Sequence, residues 1–233
     1  MPVLSKTYKT TKIISDVKIL LDERELGEYL FEDVYHQNLE ALIQNSIVDA
    51  VQRVHMNAPF HLLDTQHAFG EDCCQEVVGE EVDHSKLIYW EKDKEENPYG
   101  HVLLPDDFMR LIVFKMSDWD KPVYHLLTPT DPLYSRQFCP FAGVSGNVHN
   151  PLCFLVEYPE GRSLQFFRCN DNTATIEMAL YVSIPKIDDE GGISISELCY
   201  QSVLYTICSL VCTSIGAHER AKEFDALSSS LLI

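Results

Sequence analysis

The residues best able to do chemistry in this 233-residue chain are its eight cysteines and nine histidines. His67, Cys73, Cys74 and His84 lie close together and offer the thiolate and imidazole donors that zinc prefers. Their spacing suits no common structural zinc site, because adjacent cysteines do not bracket an ion as a C-x2-4-C pair does. No metal and no cofactor are therefore expected. Cys208 and Cys212 sit one helical turn apart but continue an apolar face, so they read as small core residues. Cys139 precedes a proline in a turn-rich stretch and Cys153 lies in a strand pattern; nothing local activates either thiol as a nucleophile. The carboxylate pair Asp106-Asp107 follows Leu104-Pro105 and precedes an apolar run. That place suits capping the start of a helix or strand better than acid–base work. The phosphate loop GxxxxGK(S/T), GxGxxG, the GxSxG elbow and HExxH are all absent from the sequence. No catalytic residue is expected.

The formal charge is −18. A surface that neutralises nucleic-acid phosphates over a large footprint is excluded on that balance. Carboxylates concentrate in residues 71–97, with Glu71, Asp72, Glu80, Glu81, Asp83, Glu95 and Glu96. This stretch loses hydrophobic periodicity apart from Leu87, Ile88, Tyr89 and Trp90, and reads as a long acidic loop with room for a hairpin. It is either a solvated excursion or a surface facing a charged partner, and its length exceeds what a simple connection needs. The N-terminus MPVLSKTYKT has no apolar stretch of the signal-peptide kind, and no apolar run is long enough to span a bilayer. A chain made and kept in the cytosol with reduced thiols is the expectation.

Elements that could position these residues follow from periodicity. Val17, Leu20 and Leu21 behind Ser15 predict a short helix over 15–23 with Ser15 as its cap. Leu39, Leu42, Ile43, Ile47, Ala50, Val51 and Val54 predict a helix over 38–56, stopped before Pro59. Runs rich in Val, Ile, Phe, Tyr and Thr predict strands at 110–116, 123–127, 152–158, 163–169 and 175–184, with a turn at Tyr158-Pro159-Glu160-Gly161. Ser194 and Glu197 predict a capping box before a helix carrying Leu198, Leu204, Ile207, Cys208, Val211 and Ile215. Gly216 is placed as its left-handed cap, and a second helix bears Ala217, Ala221, Phe224 and Leu227.

The fold class expected is α+β: a helical core built from both ends of the chain, with an inserted antiparallel β-sandwich or barrel. The boundaries fall at 1–70 for the N-terminal helical part, 71–100 for the acidic loop, 101–190 for the β-domain and 191–233 for the C-terminal helical part.

Three strings carry a resemblance: LEALIQNSIVDAVQRVHMNAPFHLL, LLPDDFMRLIVFKMSDWDKPV and SELCYQSVLYTICSLVCTSIGAHERAKEFDALSSSLL. Together they resemble the adaptor or ring proteins below the portal of tailed bacteriophages, and within these the ring proteins of crAss-like phages. The resemblance implies a structural ring subunit of the head-to-tail connector, commonly in twelve copies, that joins portal to tail. Its partners would be its own copies, the portal protein and another neck or tail protein, with genomic DNA passing nearby without specific binding and no membrane involved. Its place would be the virion neck or tail, after assembly in the host cytoplasm. An acidic wall fits such a channel, since each Lys or Arg contact to passing phosphates would add friction. The self-repulsion of many acidic copies must be offset between subunits, and Arg53, Arg110, Arg136 and Arg168 are the candidates for that role. Two other classes are compatible with the composition: a cysteine-dependent hydrolase or transferase, and a virion-associated binding module whose β-domain recognises a ligand.

Overall fold

The computed structural model describes residues 5–21, 32–63, 69, 88–92, 98–139, 147–167, 169–170 and 173–233. In chain order its elements are β1 (Ser5–Lys9), α1 (Thr10–Leu21), α2 (Glu32–Asn57), β2 (Tyr89–Lys92), β3 (Pro98–Leu103), β4 (Phe108–Met116) and α3 (Pro132–Gln137). There follow β5 (Cys153–Tyr158), β6 (Gly161–Phe167), β7 (Ile176–Ser183), β8 (Gly192–Ser196), α4 (Tyr200–Ser214) and α5 (His218–Ser230). The protein is α+β, and it divides into two compact units: Met1–Asp64 with Ile184–Ile233, and Thr65–Ser183.

The first unit is a helical core drawn from both chain ends. Spacing of four residues puts Ile13, Val17 and Leu21 on the buried face of α1. The same logic buries Leu39, Ile43, Ile47, Ala50, Val51 and Val54 along α2, which contains the helix expected over 38–56 and ends just before Pro59. α4, whose Val203, Leu204, Ile207, Cys208, Val211 and Cys212 are buried, packs against α1, α2 and α5. Each Val, Leu or Ile side chain fully removed from water here contributes about 1.5–3 kcal/mol. Between α4 and α5 the buried hydroxyls of Ser202, Thr206 and Ser228 satisfy one another at 2.7–2.8 Å. Gly216, at φ +84°, ends α4 in a left-handed cap, with the Gly216 amide donating to Thr213 O and the Ala217 amide to Cys212 O.

Two helix starts differ from the sequence-based expectation. Ser15 is not a cap, because α1 begins at Thr10, straight out of β1, with the Thr10 amide bonded to Gly191 O at 2.9 Å. Ser194 and Glu197 form no capping box. Ser194 belongs to β8, which runs antiparallel to β1 with Thr7 opposite Ser194, and its hydroxyl meets that of Ser5 at 2.5 Å. A 3-10 turn over Glu197–Cys199 then leads into α4. Pairing of β1 with β8 also draws residues 184–196 into the helical unit, so the β-rich unit ends at Ser183, short of 190.

The second unit holds two antiparallel sheets, of order β2-β3-β6-β5 and β4-β7. Four of the expected strands are present, as β4, β5, β6 and β7, and the 158–161 turn is a two-residue hairpin with Gly161 at φ +139°. The fifth, over 123–127, is not a strand but two isolated bridges, because Pro122 and Pro129 cut the run short. Val123 exchanges both backbone bonds with Phe114 of β4, at 2.8 Å each. Leu127 bonds Cys153 and Leu155 across β5, at 3.0 and 2.8 Å. The segment therefore straps the two sheets together around one core containing Val102, Phe108, Phe114, Trp119, Leu164 and Phe166. Among the described residues the expected antiparallel sheets are present and each is open, so no barrel forms there. No helix of the described residues is long and apolar enough to cross a membrane.

Two substitutions test the helical core. Ile43→Ala should lower unfolding free energy by about 2–5 kcal/mol, read as a lower denaturant midpoint at unchanged slope. Leu204→Asp places an unpaired carboxylate where the side chain is buried, and should abolish soluble expression; wild-type solubility would count against the α4 packing described here.

Candidate functional site

Strand alternation builds one surface that composition alone does not announce. In the four-stranded sheet, Trp90, Val102, Leu164 and Phe166 face the core, so the residues between them face outward. Those outward positions are Tyr89 and Glu91 on β2, Tyr99 and His101 on β3, Gln165 and Phe167 on β6, and Phe154 and Tyr158 on β5. Register places Tyr89 opposite His101, Glu91 opposite Tyr99, and His101 opposite Gln165. Gly100 makes the β2–β3 pairing possible, since a Cβ there would meet Phe166 Cζ at 2.8 Å and Tyr89 O at 2.9 Å.

α3 covers part of this face. Its start is set by Asp131, whose side chain accepts from the Leu133 amide at 2.8 Å, and by Pro132 in the first turn. From it Tyr134 and the following Phe138 reach Phe154, Phe167 and Tyr99, edge to face with centroids 5.1–6.4 Å apart. Beyond this roof the His101 imidazole lies between two parallel phenol rings, Tyr158 at 3.8 Å and Tyr89 at 4.8 Å.

The chemistry of the cluster centres on one carboxylate. Glu91 accepts the Tyr99 hydroxyl, and its other oxygen lies 3.6 Å from His101 Nδ1. Burial and then Glu91 push the Tyr99 phenol up; the same two causes carry Tyr158 to about 12 and raise Tyr134, which the Gln165 amide pulls back. The phenols are thus neutral donors at any physiological pH. His101 is 5% exposed, and neither ring nitrogen has a hydrogen-bond partner among the described residues. Burial lowers its pKa, opposed by Glu91 and Glu160. Gln165 donates from Nε2 to the Tyr158 hydroxyl at 2.9 Å, while its buried Oε1 has no partner among the described residues.

The structure scatters the residues singled out from sequence. Glu71, Asp72, Glu80, Glu81, Asp83, Glu95 and Glu96 lie outside the described residues, as do His67, Cys73, Cys74, His84 and Arg168. Arg53 on α2 and Arg136 on α3 are exposed, and Arg110 on β4 is half-buried with its pKa drawn down by that burial. Asp106 and Asp107 form no dyad: Asp107 accepts the Tyr181 hydroxyl at 2.9 Å, whereas Asp106 lines a notch of about 270 Å³ with Glu160 and Arg162. They stand in the turn that leads into β4, where the Phe108 amide bonds Pro105 O. Cys153 is fully buried and its thiol is pushed well up; burial raises Cys199 and Cys212 also, and carries Cys208 to about 12. Such thiols are not nucleophiles. Among the described residues no three His, Cys, Asp or Glu side chains gather as a metal site.

Sequence reading missed the His101 cluster. The signal was the alternation Tyr99, His101, Leu103 after Pro98, hidden because Pro98 and Gly100 read as breakers of a strand.

Two measurements probe the site. Gly100→Ala should push β2 off Phe166 and destabilise the sheet by about 1–3 kcal/mol. For His101, the depressed pKa means that the unfolded chain binds the proton more readily. The stability it contributes is complete above the ordinary imidazole value of about 6.5 and is lost as pH falls below it, until the folded imidazole itself protonates. Denaturant midpoints at about pH 5 and about pH 7.5 should therefore differ more in the wild type than in His101→Phe, with the wild type weaker at the lower pH. An equal difference in both would show that His101 is not the group responsible. Comparison with family models, with curated proteins and with solved structures finds no match to this chain.

Proposed function

We propose that the chain is a structural ring subunit of a phage head-to-tail connector, joining portal to tail and forming part of the DNA channel. The observation that carries this reading is the order of the two units along the chain. A helical core assembled from both ends and interrupted by a β-rich unit is the architecture that the connector resemblance implies. Exposed aliphatics on the helical unit supply interface chemistry: Ile19 is 74% exposed on α1, and Leu198 and Leu227 are exposed beside and along the C-terminal helices. Arg53 and Arg136 are exposed where a neighbour's carboxylates could meet them. The portal protein and a second neck or tail protein are the proposed partners, and the acidic stretch bearing Glu71, Asp72, Glu80, Glu81, Asp83, Glu95 and Glu96 either lines the DNA path or docks a basic neighbour.

Particle mass and electron microscopy of the protein, alone and mixed with a candidate portal, test the reading. Closed rings of many copies are expected. Monomers or dimers in both samples would overturn it. Ile19→Asp should block ring formation while leaving the thermal midpoint of the subunit within a few degrees of wild type. Reversing Glu71, Glu80, Glu81 and Asp83 to lysine should slow DNA passage in a salt-dependent way if the stretch lines the channel. If it docks a neighbour, the same change should block that neighbour's attachment.

A further inference from the structure

The outward face of the four-stranded sheet carries a polar cluster beside the aromatic packing under α3. The solvent side of an antiparallel sheet ordinarily carries charged and small polar side chains. Here it carries the Tyr89–His101–Tyr158 stack, the Tyr99 phenol, Glu91 and Gln165, next to Phe154 and Phe167, on which Tyr134 and Phe138 pack from α3 and the residue after it. Two rings offer open surface: Tyr89 is 41% exposed and Phe138 48%. On the same face two side chains are at least nine-tenths buried, His101 and Gln165, directly opposite each other in register and each with a polar atom lacking a partner among the described residues. Unmatched buried polar atoms are rare in native proteins, and one explanation for them is a water or a ligand that completes the bonding.

We propose that this face binds a neutral, hydroxyl-rich ligand of the sugar class. The unmatched groups decide the class. A neutral imidazole has one N–H to donate and one nitrogen to accept, and the Gln165 oxygen can only accept. A hydroxyl both donates and accepts, so adjacent hydroxyls on one ring can meet all of these at once. Phosphates and carboxylates accept only, and would face Glu91 at 3.6 Å from His101 with Glu160 also nearby. Ammonium and guanidinium groups donate only, which leaves the imidazole N–H unmatched. A hard cation needs several oxygen ligands, and among the described residues of these strands Glu91 is the one carboxylate that faces outward beside His101.

The aromatic rings supply the other half of recognition. A pyranose has an apolar C–H face, slightly positive at its hydrogens, that packs on the negative face of an aromatic ring. Tyr89 offers such a face, on a four-residue edge strand with Glu91 two residues on to accept a hydrogen bond from a hydroxyl. Binding in this way requires the Tyr89 ring, which lies over His101, to swing aside so that ligand hydroxyls reach the buried nitrogens. Aromatic lining with a few convergent polar groups is the general composition of a small-molecule site.

The test uses the full chain. Saturation-transfer NMR is run with methyl glycosides of glucose, mannose, galactose and N-acetylglucosamine, and a glycan array supplies longer probes. At least one probe should bind saturably, and Tyr89→Ala should weaken its binding at least about tenfold, equivalent to 1.4 kcal/mol. Tyr89 is exposed on an edge strand, so that variant should fold; Gln165→Leu is the second variant, accepted only if its thermal midpoint and amide spectrum match wild type, and it should weaken binding likewise. Met178→Ala, on β7, should bind as wild type. Absence of binding by every probe, or binding unchanged in Tyr89→Ala, would overturn the proposal without touching the ring reading.

Discussion

Much of the β-rich unit hangs on the placement of one ring, that of Phe166. It is fully buried and meets Trp90 of β2, Phe114 of β4 and Trp119 in the following turn, with centroids 5.4–6.2 Å apart. It therefore fills the space where the four-stranded sheet faces the two-stranded one. Because its edge presses on β3, the residue there can have no Cβ, and Gly100 is that residue. With no side chain in the way, β2 approaches closely enough for Tyr89 to lie over His101. The outward stack is thus a consequence of packing on the inward face.

The price of that arrangement falls on His101. An imidazole held between two phenols is shielded from water and disfavoured as a cation, so it stays neutral with Glu91 near but not bonded to it. Polar groups left in this condition cost about 1–3 kcal/mol each when nothing completes their bonding. A sheet that served only to cover a core would gain stability with a small apolar residue at this position.

Local periodicity made the helices legible. α2 and α4 repeat apolar residues at three and four over several turns, and Gly216 sits where a left-handed cap is needed. Strands β4 to β7 were visible for the same reason, being long enough for β-branched and aromatic residues to accumulate. What stayed hidden depended on pairing across distance. β1 and β8 are five residues each and come from opposite ends of the chain; neither has a pattern of its own, and Ser194 therefore looked like a helix cap. The sheet-face cluster was hidden more deeply, because its members come from four strands and meet only through register. The cysteines drew attention by their number, yet the four whose thiols are raised owe this to burial.

The strap from Val123 to Leu127 bears on how the β-rich unit opens. One end bonds β4 and the other bonds β5, and they occupy what would otherwise be bare strand edges. Bare edges template association with other chains, so the strap shields two of them at once. It also couples the sheets kinetically. The amides of Phe114 and Leu155 both donate to the strap, so a fluctuation that lifts it frees both together. Amide hydrogens in two different sheets thus depend on one short segment for their protection.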